Sequence, residues 1–360
     1  MPSPITPPAL KQGDTIAFIS PSARLNDTLH LVMSRATDVL TKRGYKVRTF
    51  FTKDTGIQSS IRNRLSEIRS AFFDPTVSAI IATIGGTTFT ELLPHLIADT
   101  DLHAHMRANP KIFVGYSDIT GFHWFLHALT GLRTFYGPGA IPELGLPSSS
   151  TEDPDSALSF CVENMFKILS TPGKPFGEIP RSLQYHEGNH EFYDHPSSTK
   201  LPPLLPSPKW TWLRQGKATG RLFGGCLTVA ARLGGVQAIR PDWRDKIVFM
   251  ETATGDDEMG PPIDRVRAGF ADLIAQGVFD HAAGLVIGRA YGYDTDAKRK
   301  RYADVIMGLF CDEERGVGKF PILFNVDFGH TAPMVTLPYD VLAKMDSERD
   351  RFAVVEGAVV

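Results

Sequence analysis

Three residues of different chemistry stand just beyond short apolar runs: Ser117 after KIFVGY, Glu251 at the end of KIVFME, and His330 after PILFNVDFG. A serine hydroxyl is a weak nucleophile until an imidazole takes its proton, and a carboxylate can fix the imidazole tautomer and stabilise the imidazolium. Brought together, the three would carry acyl transfer, with Ser117 as nucleophile, His330 as general base and Glu251 as the orienting acid. Ser117 also has a plainer reading, because Ser117 or Asp118 could cap the helix that follows. Asp327 and Asp118 compete with Glu251. Glu251 is preferred because a separate strand end can meet the imidazole face-on, whereas Asp327 alternates along the strand leading to His330.

Acyl transfer also needs donors for a developing oxyanion. Gly85-Gly86 follows AIIATI, where a backbone without Cβ atoms can approach a ligand closely, and Asp118 supplies the N–H after the nucleophile. The backbones of Gly86 and Asp118 are the candidate oxyanion hole, and Gly85 and Thr87 are candidate substrate contacts. The glycine pair can also be read as a tight turn or a phosphate loop, although it lacks the lysine of a P-loop and the spacing of GxGxxG. Trp210 and Trp212 in KWTWLR could stack on a planar ligand or anchor a loop on the core. His123 and His127 have the i, i+4 spacing of a zinc site, but position 124 is tryptophan rather than the glutamate of HExxH. His103, His105, His186, His190 and His195 lie in polar segments without paired acids and read as solvated. No metal or cofactor is expected.

The elements that must position these residues follow a strand–helix rhythm. TIAFIS, YKVRTFF, VSAIIATIGG and KIFVGY alternate with helical stretches over 29–44, 61–73 and 90–97, and Ile119, Phe122, Leu126 and Leu129 recur at helical spacing after Ser117. A mostly parallel sheet covered by helices is the natural solution, and ligands gather beyond the carboxyl ends of such strands. Residues 146–209 are dense in proline and serine, with one helical segment near 157–168, and read as a linker and surface excursion. Order resumes at Trp210, with helices expected over 263–276 and 302–310. The expected fold is therefore α/β: a mostly parallel-sheet nucleophile domain over 1–145, the excursion over 146–209, and a second α/β domain over 210–360 carrying the acid and base.

The whole chain narrows the functional classes. Its 360 residues suit two domains, and a formal charge of -2 offers no basic field for nucleic acid. The opening MPSPITPPALKQGD lacks a signal-peptide pattern, and no apolar run approaches the ~20 residues that span a bilayer. The 3 cysteines, Cys161, Cys226 and Cys311, are far apart and suggest neither a disulfide framework nor a CxxC metal site. A reducing, cytoplasmic setting is expected, with a small-molecule substrate and no membrane partner.

The motifs LKQGDTIAFISPSA, FFDPTVSAIIATIGG, ANPKIFVGYSDITGFHWFLHALTGLRTFYGPGA, GRLFGGCLTVAARLGG, IVFMET and FNVDFGHTAPMVTLP together resemble the LD-carboxypeptidase family of serine peptidases. The resemblance covers nearly the whole chain. It implies the same Ser117, Glu251 and His330 triad, backbone oxyanion donors near Gly86 and Asp118, no metal, a Rossmann-like N-terminal domain with a smaller C-terminal α/β domain, and a homodimer. One branch of the family removes terminal D-alanine from murein tetrapeptides; another, the microcin C immunity peptidases, cleaves aminoacyl-nucleotide conjugates. IGGTTFTELLP and KWTWLRQGKATGRL look more like the second branch, which carries a tryptophan-bearing loop that stacks on the nucleobase, and this makes Trp210 and Trp212 candidate stackers. A non-catalytic module that binds nucleotide conjugates is the remaining alternative. Cys226 departs from the family, which commonly has asparagine there.

Overall fold

The computed structural model describes residues 2–147, 156–186, 191–201, 203–254, 260–314 and 316–360. The first part of the chain forms β1 (Thr15–Ile19), α1 (His30–Lys42), β2 (Lys46–Phe50), α2 (Ile57–Phe73), β3 (Val77–Ala82), α3 (Leu93–Ala98), α4 (Thr100–Ala108), β4 (Ile112–Gly115), α5 (Thr120–Phe125) and β5 (Phe135–Tyr136). The five strands are parallel, in the order β2-β1-β3-β4-β5. β3 and β4 are almost entirely buried and read as continuous apolar runs, as strands covered on both faces must. α1 turns Val32, Met33, Ala36, Val39 and Leu40 inward at helical spacing. The strand order reverses between β1 and β3, and ligands of open α/β sheets bind beyond the carboxyl ends of strands at such a reversal.

The remainder forms α6 (Ala157–Leu169), β6 (Pro175–Glu178), β7 (Gln184–Tyr185), β8 (Leu205–Pro206), β9 (Thr211–Arg214), β10 (Lys217–Cys226), α7 (Leu227–Leu233), β11 (Lys246–Glu251), α8 (Ile263–Ala275), β12 (Gly284–Gly288), α9 (Asp296–Phe310), β13 (Ile322–Val326), β14 (Leu337–Pro338), β15 (Leu342–Asp346) and β16 (Arg351–Gly357). A second sheet runs β6-β16-β15-β10-β11-β12-β13-β9, and its middle strands β10 to β13 are parallel.

The organisation expected from composition and spacing differs in three places. Within 146–209, α6 buries Leu158, Cys161, Val162 and Met165, and β6 pairs with β16 at a sheet edge, where a proline is tolerated. β14, far along the chain, returns to pair antiparallel with β5, so the last part of the sequence completes the first sheet. α9 begins at Asp296, earlier than the apolar spacing suggests. The Thr295 hydroxyl accepts the Lys298 N–H and starts the helix through a polar turn that carries no apolar signal. Among the described residues, no helix is long and apolar enough to cross a membrane.

Candidate active site

Ser117 stands just beyond the carboxyl end of β4. Tyr116 is extended, and Ser117 then takes a left-handed φ of 65°, a conformation that costs a non-glycine residue about 1–2 kcal/mol, before the chain turns into α5. Both of its backbone groups are held: its N–H donates to the Tyr136 phenol oxygen at 3.1 Å, and its carbonyl accepts the Thr120 hydroxyl at 2.7 Å. Neither Ser117 nor Asp118 makes a side-chain cap to the helix. The Asp118 carboxylate instead accepts from the Ser22 hydroxyl at 2.6 Å, the Phe89 N–H at 2.9 Å and the Arg232 guanidinium, and so ties the loop after β3 to the Ser117 turn.

That loop carries the glycine pair. A Cβ at Gly85 would lie 2.6 Å from Ser117 Cβ, 2.7 Å from its Oγ and 3.3 Å from the Asp118 nitrogen, so only glycine fits against the serine. Gly86 has φ 138°, and a Cβ there would meet the Ala23 nitrogen at 2.7 Å. Gly86 and Thr87 are both exposed. Among the described residues, the N–H groups of Gly86 and Asp118 donate no backbone hydrogen bond outside the regular elements.

Glu251 ends β11 fully buried, and its carboxylate takes three donors. His330 Nδ1 lies 2.7 Å from Oε2, the His330 backbone N–H lies 3.2 Å from the same oxygen, and the Tyr136 phenol donates to Oε1. Burial pushes this carboxyl up, but the facing His330 charge and these hydrogen bonds outweigh it and hold the group below its ordinary value. With Nδ1 donating to a carboxylate, Nε2 is the nitrogen left to accept a proton. Gly329 has φ 87°, and a Cβ there would lie 2.4 to 2.7 Å from Glu251 atoms. The Tyr116 ring packs edge-on against His330 at 4.9 Å, and its hydroxyl donates to buried Glu143 at 2.7 Å. Glu143 is raised by its burial, although the hydrogen bond from Tyr116 works in the opposite direction. Asp327, the rival acid, is turned elsewhere: it pairs with Arg289, accepts from Ser182 and takes the Trp210 indole N–H at 2.7 Å.

Other expected positions take different duties. Trp210 is buried with Arg181 over its ring at 4.4 Å, and the Trp212 indole donates to Asp350, which also pairs with Arg181. Arg181 thus lies against one face of the Trp210 ring. Burial pulls His123 down to about 3; its ring nitrogens meet Gly115 O and Thr134 Oγ1, each at 2.8 Å, while His127 faces Asp340 at 3.8 Å. His103 and His105 are not free in solvent, since their rings donate to the Leu96 and Phe72 carbonyls. His186 is likewise buried, bridging by its backbone to Ala332 beside His330; His195 is exposed, and His190 lies outside the described residues. Cys226 sits opposite Glu251 in the sheet register with its N–H on Thr120 Oγ1 at 3.0 Å. Tyr136, Tyr116 and Gly329 were not singled out from the sequence. Only the place of Tyr136, closing TFY before GPG, gave a signal for any of them.

Residues 16–137 match the LD-carboxypeptidase N-terminal domain and residues 219–345 the LD-carboxypeptidase C-terminal domain. A putative carboxypeptidase of Vibrio cholerae is 29% identical over 348 residues, 96% of each chain. The microcin C7 self-immunity protein MccF of Escherichia coli is 28% identical over 356 residues, 98% of this chain and 96% of that one. The solved structure of MccF in complex with glutamyl sulfamoyl guanosine superposes with a TM-score of 0.82 at 25% identity, covering 99% of this chain and 100% of the other.

Proposed function

Because this chain belongs to the LD-carboxypeptidase family of peptidases, we propose that it is a serine hydrolase that cuts the amide or acyl link of aminoacyl- or peptidyl-nucleotide conjugates. The observation that carries the serine chemistry is the meeting of the two halves of the site. Tyr136 touches both the Ser117 N–H and Glu251, while Tyr116, the residue before Ser117, packs on the His330 ring. These links between Ser117, His330 and Glu251 support the triad reading.

In this reading Ser117 Oγ attacks the carbonyl carbon as His330 Nε2 takes its proton, and the oxyanion accepts the N–H groups of Gly86 and Asp118. Collapse breaks the bond to the leaving group, which receives the proton from His330. Water, deprotonated by His330, then hydrolyses the acyl-Ser117 ester and restores the enzyme. Glu251 stays ionised throughout and balances the imidazolium. What supports the nucleotide-conjugate substrate is likeness along nearly the whole chain to MccF, whose solved complexes hold aminoacyl sulfamoyl nucleosides.

Purified wild type and Ser117→Ala, incubated with aspartyl sulfamoyl adenosine or a murein tetrapeptide and followed by mass spectrometry, test the reading. Ser117-dependent cleavage of the adenosine conjugate is expected. Cleavage of the tetrapeptide alone reassigns the substrate, and turnover retained by Ser117→Ala removes Ser117 from the mechanism.

A further inference from the structure

The geometry points to Tyr136 as a positioning residue that holds the acid Glu251 and the nucleophile turn at Ser117 in one fixed relation across the two sheets. This inference rests on the serine-hydrolase reading and adds to it a residue outside the triad. Tyr136 ends β5 in the first sheet, and Glu251 ends β11 in the second. The direction of each hydrogen bond is forced. A backbone N–H can only donate, so the phenol oxygen accepts from Ser117, and its single proton must go to Glu251 Oε1. The ring cannot swing away: it is fully buried, with Phe249 at 5.5 Å, His123 at 6.0 Å, Tyr339 at 6.2 Å and Tyr116 at 6.3 Å between ring centroids.

The other backbone group of Ser117 is fastened in a parallel way. Its carbonyl takes the Thr120 hydroxyl, whose oxygen accepts the Cys226 N–H at the end of β10. The strained serine is thus hooked through one hydroxyl to each of two adjacent strand ends, and only the Tyr136 hook ends on a catalytic group. Thr120 is therefore the internal control, since its loss loosens Ser117 without touching Glu251.

Other groups facing Glu251 do not exchange protons near neutrality. Burial, and then the Glu251 charge, raise Cys226 to about 12, and burial holds Tyr136, Tyr302 and Tyr339 well above their ordinary values. Tyr116 is raised by burial in the same way, and among the described residues only His330 faces Glu251 as a base. Removing the phenol proton donor leaves more anionic charge on Glu251 for the imidazolium and makes Glu251 itself easier to protonate. Both changes move the acid limb of kcat/KM to higher pH.

The test compares Tyr136→Phe with Thr120→Val, using aspartyl sulfamoyl adenosine and murein tetrapeptide as probes, with thermal melts of each variant. For Tyr136→Phe, kcat should fall roughly 10- to 100-fold with KM little changed, as for misplaced reacting groups. Its acid limb should rise by roughly one pH unit, the scale of one hydrogen bond to a charged group. Thr120→Val should lower kcat with the limb unmoved. A Tyr136→Phe limb that stays with wild type overturns the proposal, whether kcat is lost or kept. If Tyr136→Phe does not fold, 3-fluorotyrosine at position 136, a stronger donor of nearly the same shape, replaces it; a limb moved down supports the role and an unmoved one overturns it. Wild type without Ser117-dependent turnover on either probe overturns the parent reading and this one with it.

Discussion

Glu251 and Asp327 are two buried carboxylates set at the carboxyl ends of strands of the same sheet, one at the end of β11 and one just beyond β13, yet their surroundings differ in kind. Asp327 faces the guanidinium of Arg289 and is further held by Ser182 and the Trp210 indole. Glu251 faces the His330 imidazole, a group that can take up a proton, and a phenol that also accepts the Ser117 N–H. A buried charge with a permanent partner fastens structure, and the same charge with a protonatable partner can serve chemistry. Position beyond a strand end does not tell the two apart; the partner does.

The most severe way to break this comparison is to neutralise each carboxylate in turn. Glu251→Gln should lower kcat by about 10³- to 10⁴-fold, as when the orienting acid of a serine triad loses its charge, while the melting temperature falls less than in Asp327→Asn. Asp327→Asn should do the reverse. It strands the Arg289 guanidinium, and loss of one partner of a buried pair costs about 3–5 kcal/mol of stability. The folded fraction should keep a kcat within a few-fold of wild type. Steady-state kinetics beside denaturant unfolding reads both. A collapse of kcat in folded Asp327→Asn would move Asp327 into the catalytic group.

A gentler disturbance moves Glu251 without removing its charge. An alanine methyl at Gly329 would lie 2.4 Å from Glu251 Cγ and 2.7 Å from its Oε2, at a backbone φ of 87° that disfavours a side chain. Gly329→Ala should lower kcat on the order of 100-fold by displacement, and should destabilise the fold by about 1–2 kcal/mol through the left-handed backbone. An unchanged kcat would mean that the Glu251–His330 geometry tolerates more play than their packing suggests.

Smaller again is the effect of pH on stability. The Glu251 carboxyl lies below its ordinary value in the folded chain, so the unfolded chain binds its proton first as pH falls. Its contribution is full above the ordinary carboxylate range, near pH 4.3, and is lost as pH drops through the folded value. The stability difference between wild type and Glu251→Gln should therefore shrink below about pH 4. A difference that grows on acidification would show a carboxyl raised by burial instead.

Much of the site was legible because parallel strands announce their carboxyl ends: an apolar run followed by Ser117, Glu251 or a short step to His330 needs no distant information. The glycine pair was legible for the same reason. Tyr136 was not, since β5 is only Phe135–Tyr136 and is completed by β14 from two hundred residues further on. Trp210 and Trp212 could be seen as a pair but not assigned, because Arg181, which lies over the Trp210 ring, and Asp350, which accepts the Trp212 indole N–H, come from separate parts of the chain. The histidines fared likewise: polar flanks around His103, His105 and His186 suggested solvent, while their partners are main-chain groups fixed only by the tertiary fold.

The finest test concerns how dry the Glu251 side of the comparison is. Cys226 lies opposite Glu251 in the register, and burial, then that carboxylate's charge, push its thiol up to about 12. Cys161 is buried as well, its thiol also raised by burial, whereas Cys311 is only partly covered. The thiolate is the reactive form, so iodoacetamide at pH 8 should label Cys311 and spare the other two in the native protein, as read by peptide mass spectrometry. Glu251→Gln removes the second cause and leaves the first, so Cys226 should stay unlabelled there too. Rapid labelling of Cys226 in wild type would mean that water reaches this part of the site, and Glu251 would then owe its ionisation to solvent as much as to His330 and Tyr136.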